Sequence, residues 1–255
     1  PSAAPAEARP VPARQAPGSA DLEQRVTDVL KLARDLGASQ AEDSASFGTG
    51  FSVNVRMREV ETIRHQRDQG LGVTVYLGQR RGSASTSDLR PAAIEETVRK
   101  AVALARHAAD DPAAGLADPA RLATRFPDLD LYHPWDIDPD RAIALATECE
   151  AAALAADPRI TNSEGASVST GEGLHVYGNS HGFLASYRDT EHSVSCAVVG
   201  AQDGAMETDY EYSLSRDARR LPPVAATGAE AGRRTAARLG AVKLSTRTVP
   251  VLFPA

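Results

Sequence analysis

The chain has 255 residues, 42% hydrophobic and 24% charged, with a formal net charge of −6. That is enough apolar content for one large domain or two small ones. The acidic balance gives no basis for broad nucleic-acid or anionic-membrane affinity, and no apolar run is long enough to cross a bilayer.

In chain order, residues 1–20 are rich in Pro and Ala, carry no apolar core segment of a secretory signal, and are expected to be a disordered tail. Asp21 then opens a helix with Leu22, Val26, Val29, Leu30, Ala33 and Leu36 on one stripe, closed by Gly37. From Ala41 to Ser87 short alternating runs predict an antiparallel meander. Gly48 and Gly50 are read as one turn and Gln69-Gly70 as another. Val73, Val75 and Leu77 alternate with Gly72, Thr74 and Tyr76, the period of a half-buried strand. After the Gly78 to Gly82 turn, Ser83 to Ser87 reads as the returning strand. Asp88 is expected to cap the next helix, with Pro91 in its first turn and Ile94, Val98, Ala101, Val102 and Ala105 on its apolar face.

Prolines break residues 110–138 into a connector, with room for a helical turn from Pro119 to Ala123. Asp138-Pro139-Asp140 has the composition of a helix start, and this helix runs to about Asp157. Strands return from Ile160 to Leu214, with turns expected at Glu172-Gly173, Asn179 to Gly182 and Asp203-Gly204. A last helix covers about Val224 to Leu239. Val249-Pro250-Val251-Leu252-Phe253 reads as a strand just beginning, as at the front of a further domain.

The expected fold class is α+β: two antiparallel β-meanders flanked by helices, helix–meander–helix twice over, as the N-terminal part of a longer chain. The domain reading is a tail over 1–20, a first unit over 21–109, a connector over 110–137, a second unit over 138–240, and the start of a β-rich C-terminal domain over 241–255. The halves share no evident residue identity.

A search for chemistry ends without a site. No pair among His65, His107, His133, His175, His181 and His192 has the H-E-x-x-H spacing. His175, His181 and His192 cluster in the second meander, but the adjacent Glu191 would point to the opposite face of its strand from His192. Ser83, Ser85 and Ser87 fit the polar face of a sheet, and no G-x-S-x-G elbow is present. Gly70, Gly72 and Gly78 do not form a phosphate loop, and the Asp203-Gly204 turn lacks calcium-ligand spacing. Glu148 and Glu150 do not share a helix face, and Arg80-Arg81 reads as a solvated loop tip. Cys149 and Cys196 make no disulfide framework, which favours a reducing compartment. Both are expected to be buried small hydrophobes. No residue is assigned a catalytic, cofactor-binding or metal-binding role.

Two long runs, GLGVTVYLGQRRGSASTSDLRPAAIEETVRKAVALAR from Gly70 and DPRITNSEGASVSTGEGLHVYGNSHGFLASYRDTEHSVS from Asp157, resemble the TldD/TldE (PmbA) family. FPDLDLYHPWDIDPDRAIALA, between Phe126 and Ala146, resembles the TldE/PmbA branch in particular, and the likeness spans about Leu22 to Pro254. The resemblance implies a non-catalytic subunit of a cytoplasmic, bacterial heterodimeric metalloprotease that processes peptide precursors and degrades unfolded polypeptides. Its expected partner is a TldD-like catalytic subunit holding zinc through H-E-x-x-x-H, a motif absent from these 255 residues. No cofactor is expected in this chain, and neither nucleic acid nor membrane is an expected partner. Two other readings stay open: a full-length protein that is itself a metallopeptidase with ligands beyond Ala255, and a stand-alone peptide-binding or scaffold module. An exposed strand edge that accepts extended polypeptide would suit the first reading.

Overall fold

The computed structural model describes residues 18–253. Four α-helices and six strands alternate in the order α1 (Ser19–Asp35), β1 (Gln40–Arg56), β2 (Glu59–Leu77), β3 (Arg80–Thr86), α2 (Pro91–His107), α3 (Pro139–Ala155), β4 (Ile160–Asn179), β5 (Leu184–Gln202), β6 (Ala205–Ser215) and α4 (Val224–Arg238). The fold is α+β, as the pattern predicts. The expected tail lies outside the described residues except for its last three, and Ser19 and Ala20 already belong to α1.

Two helix boundaries follow directly from local chemistry. Gly37, with φ of 94°, donates its N–H to the Arg34 carbonyl and stops α1 in the left-handed conformation that glycine tolerates. Asp138 caps α3 by accepting from the Arg141 N–H at 2.7 Å, with Pro139 next to it. Asp88 does something else. The N-cap of α2 is Arg90, without a side-chain cap, and Asp88 accepts from the Arg90 N–H and guanidinium instead. Residues 241–250 take no regular structure, and Val249, Val251, Leu252 and Phe253 are exposed.

The two meanders are parts of one six-stranded sheet, ordered β3-β2-β1-β4-β5-β6. β1 and β4 join them, running antiparallel: the Ser180 N–H donates to the Ala41 carbonyl, while Arg56, far along β1, reaches the Ser163 carbonyl early in β4. The strands are longer than the turn signals allow. Gly48, Gly50, Gln69-Gly70 and Glu172-Gly173, read from sequence as turns, all lie inside strands. At two of these glycines a side chain would crowd a neighbour. A Cβ at Gly50 would lie 2.7 Å from the Gln66 side chain, and one at Gly173 would lie 2.3 Å from the Asp189 carboxylate.

Two compact units share these strands. One holds the described residues up to Thr49, Arg67–Leu129 and Gly173–Asp189. Its core is Leu22, Val26 and Val29 of α1, Val98 and Val102 of α2, and Leu71, Val73 and Val75 of β2. The other holds Gly50–Gln66, Asp130–Glu172 and the described residues from Thr190 onward. There Ala142, Ala146 and Ala153 of α3 and Ala231 of α4 cover Val53, Val168, Val194 and Val198 of the sheet. Small residues bring α3 and α4 close: a Cβ at Gly228 would sit 1.9 Å from the Cys149 carbonyl oxygen, and one at Gly232 would sit 2.4 Å from that of Ala153.

Candidate cleft beside the connector

In the second unit, the connector run Leu131 to Trp135 is held against β5 by polar bonds. The Thr190 N–H donates to the Leu131 carbonyl at 3.0 Å, and the His133 N–H donates to the Thr190 hydroxyl oxygen at 3.0 Å. Another comes from His192, fully buried, whose Nε2 lies 2.8 Å from the His133 carbonyl oxygen. A carbonyl can only accept, so Nε2 carries the proton. In the neutral ring Nδ1 then accepts from the Thr170 hydroxyl at 2.8 Å. Trp135 meets the His192 ring edge to face, with centroids 5.5 Å apart.

This anchoring forms one wall of a cleft of about 420 Å³, lined by Tyr132 to Trp135 and by Asp217, Ala218 and Arg219. His133 lies between two acids: Nε2 is 2.9 Å from the Asp130 carbonyl oxygen and 3.2 Å from its carboxylate, and Nδ1 is 4.0 Å from the Asp217 carboxylate. On the other wall the Arg219 guanidinium and N–H both bond Asp217 and hold its carboxyl down at about 2. The Tyr132 hydroxyl donates to Glu172 at 2.7 Å. Aromatic faces beside a neutralised Asp–Arg pair suit holding a side chain or peptide group. The lining set has no serine, cysteine or lysine to act as nucleophile.

The histidines that the sequence clusters each have different partners. His175 stacks on Tyr187 and contacts Asp189 at 3.2 Å, and His181 contacts Gln40 and the Ala117 carbonyl. His192 is the buried anchor just described, in the other unit. Among the described residues no three His, Cys, Asp or Glu side chains are arranged to hold a metal ion. Ser83 pairs with Thr74 across the β2–β3 ladder, and the Arg80 guanidinium reaches the Arg106 carbonyl. Cys149 and Cys196 are buried and adjacent. The Cys149 thiol, then burial, pushes the Cys196 thiol well above its ordinary range.

Glu148 is exposed, whereas Glu150 is fully buried and binds the β1–β2 turn: its two oxygens accept from the N–H groups of Met57 at 2.8 Å and Arg58 at 2.7 Å. Sequence reasoning reached neither this nor the cleft. One signal was available in the Asp-x-Arg triplets Asp88-Leu89-Arg90, Asp157-Pro158-Arg159 and Asp217-Ala218-Arg219. In each, the aspartate accepts from the N–H and the guanidinium two residues on. The first and third follow the last strand of each meander and precede its helix, so the halves share a local device as well as an order of elements.

A one-sheet α+β fold with a helix pair over each meander is a recurring architecture. A structure from Bacteroides thetaiotaomicron described as a candidate modulator of DNA gyrase superposes with a TM-score of 0.79 at 26% identity, over 87% of this chain and 51% of that one. TldE from Thermococcus kodakarensis shares the fold, with a TM-score of 0.67 at 14% identity, over 83% of this chain and 47% of that one. Residues 44–105 match the PmbA/TldA metallopeptidase domain 1, and residues 132–239 match the PmbA/TldA metallopeptidase central domain. The chain belongs to the PmbA/TldD family. It is 47% identical to the metalloprotease PmbA of Escherichia coli O157:H7 and 45% identical to a PmbA homolog of Haemophilus influenzae, each over 233 residues and 91% of this chain. The chain spans about half the length of these curated relatives, 51% of each. No described helix is long and apolar enough to cross a membrane.

Proposed function

We propose that this chain carries the first and central domains of a non-catalytic TldE/PmbA-type subunit. The subunit pairs in the cytoplasm with a zinc-bearing TldD-type subunit and presents unfolded or precursor polypeptide to it. The observation that carries this reading is the 47% identity with a metalloprotease PmbA over 91% of the chain. The resemblance of the run from Phe126 to Ala146 to the TldE/PmbA branch supports the choice of branch. The relatives' name also favours a second reading, in which the full-length protein holds its own metal and cleaves alone.

One reconstitution separates the two. The full-length protein, a TldD-type subunit, and both together are incubated with fluorescein-labelled casein, with and without a zinc chelator. Chelator-sensitive cleavage that requires the TldD-type subunit supports the proposal. The same cleavage by the full-length protein alone would replace it with the second reading.

A further inference from the structure

β6 ends the sheet order, so one of its edges has no neighbouring strand among the described residues. It pairs with β5 from His192↔Ser215 to Gln202↔Ala205. The N–H groups of Tyr210 and Tyr212 do not enter that ladder. Each is bonded by the carboxylate of the residue before it, Asp209 Oδ1 at 2.8 Å and Glu211 Oε1 at 3.0 Å. Antiparallel strands alternate inward and outward main-chain groups, so the even-numbered residues from Met206 to Leu214 turn N–H and C=O away from β5. The two carboxylates stand where carbonyl oxygens of a further strand would be.

The same residues form an exposed apolar stripe. Met206, Tyr210, Tyr212 and Leu214 are 74%, 55%, 57% and 54% exposed, on the face opposite α4. The odd-numbered acids face α4, where Arg234 bonds Asp209 and Glu211 and Arg238 approaches Glu207. Their charge is thereby matched on the helix side, and the Arg234 guanidinium lies 5.8 Å from the Tyr210 ring centroid. Two residues past the end of β6, Asp217 begins the second wall of the cleft.

Outward donors two residues apart, beside apolar side chains with the same period, match one kind of ligand. We infer that the outer edge of β6 binds an extended polypeptide segment by strand addition, with apolar side chains of the segment lying beside Met206, Tyr210, Tyr212 and Leu214. The Asp209 and Glu211 carboxylates occupy the edge donors when the segment is absent, which also keeps copies of the chain from pairing there. This deepens the proposed handling of polypeptide by naming its place, and it does not depend on the metal-bearing partner.

The test uses the whole chain without a partner subunit and a fluorescein-labelled peptide of nine alternating valines and threonines between terminal lysines. Amide hydrogen exchange is expected to show peptide-dependent protection over residues 206–214. Thr208→Pro deletes one outward N–H and leaves the β5 ladder intact, and it is expected to weaken binding at least fivefold by fluorescence anisotropy. The pair Tyr210→Ser and Tyr212→Ser is expected to weaken it at least tenfold, with circular dichroism showing that both variants fold. Absence of binding, wild-type affinity in both folded variants, or protection confined to residues 59–66 of β2 would overturn the inference. So would sedimentation showing that the edge is filled by a second copy of the chain. None of these outcomes bears on pairing with a TldD-type subunit.

Discussion

Glu150 makes a sharp test of how the second unit is held. The two residues between β1 and β2, Met57 and Arg58, have φ of 50° and 66°, the left-handed pair of a tight hairpin turn, yet neither is glycine. Each residue costs roughly 1 kcal/mol in that conformation. The offset comes from Glu150, whose buried carboxylate accepts both turn N–H groups, an anion in a nest of main-chain donors. Hydrogen bonds to a charged group contribute about 1.5–3 kcal/mol each, and water can take over part of this at a turn where Met57 is 47% exposed. Glu150→Ala should therefore cost about 2–4 kcal/mol. Glu150→Gln should cost nearly as much, because its amide NH₂ faces one turn N–H donor to donor. Arg58→Gly should stabilise by about 0.5–1 kcal/mol, since glycine takes positive φ without strain. Trp135, the only tryptophan, lies in the same unit, so its fluorescence in a urea titration reports this unfolding directly. A Glu150→Gln variant within 0.5 kcal/mol of wild type (an order-of-magnitude threshold) would show that packing alone holds the turn, and would refute the reasoning.

Three further outcomes follow from buried groups. Asp43 is 1% exposed, neither carboxylate oxygen has a hydrogen-bond partner among the described residues, and burial pushes its pKa up to about 8. Its folded pKa exceeds the unfolded value of 3.8, so the native state holds the extra proton. The first unit should then lose stability as pH rises from about 4 to 8, and Asp43→Asn should flatten that slope in amide exchange of α1. Gly228→Ala gains about 1 kcal/mol of helix propensity, yet its methyl would strike the Cys149 carbonyl, so a net loss of at least 2 kcal/mol is expected by tryptophan fluorescence. Cys149 and Cys196 should react with a thiol reagent only in denaturant, whereas reaction of both at native rates would contradict their burial.

The helices were legible because capping and periodicity are local: Asp138-Pro139 and the Leu22 to Ala33 stripe each lie within one element. The joining of two meanders into one sheet was not, since it rests on Ser180 meeting Ala41 across a separation of 139 residues. Gly50 and Gly173 misled for a related reason. A glycine in a strand can mark a turn or a crowded neighbour, and the crowding side chains, Gln66 and Asp189, are named only by the fold. The cleft was hidden in the connector, where the prolines around His133 and Trp135 read as breaks. Their partners Thr190, His192 and Asp217 lie more than fifty residues away.

The proposed subunit works beside a metal-bearing partner. The most direct test is purification of the full-length protein from its own cell under native conditions, with intact mass and zinc content read on the same complex. The expected result is a second, TldD-type polypeptide in the complex, with the zinc retained by that polypeptide after the two are separated. A lone polypeptide carrying stoichiometric zinc would contradict it.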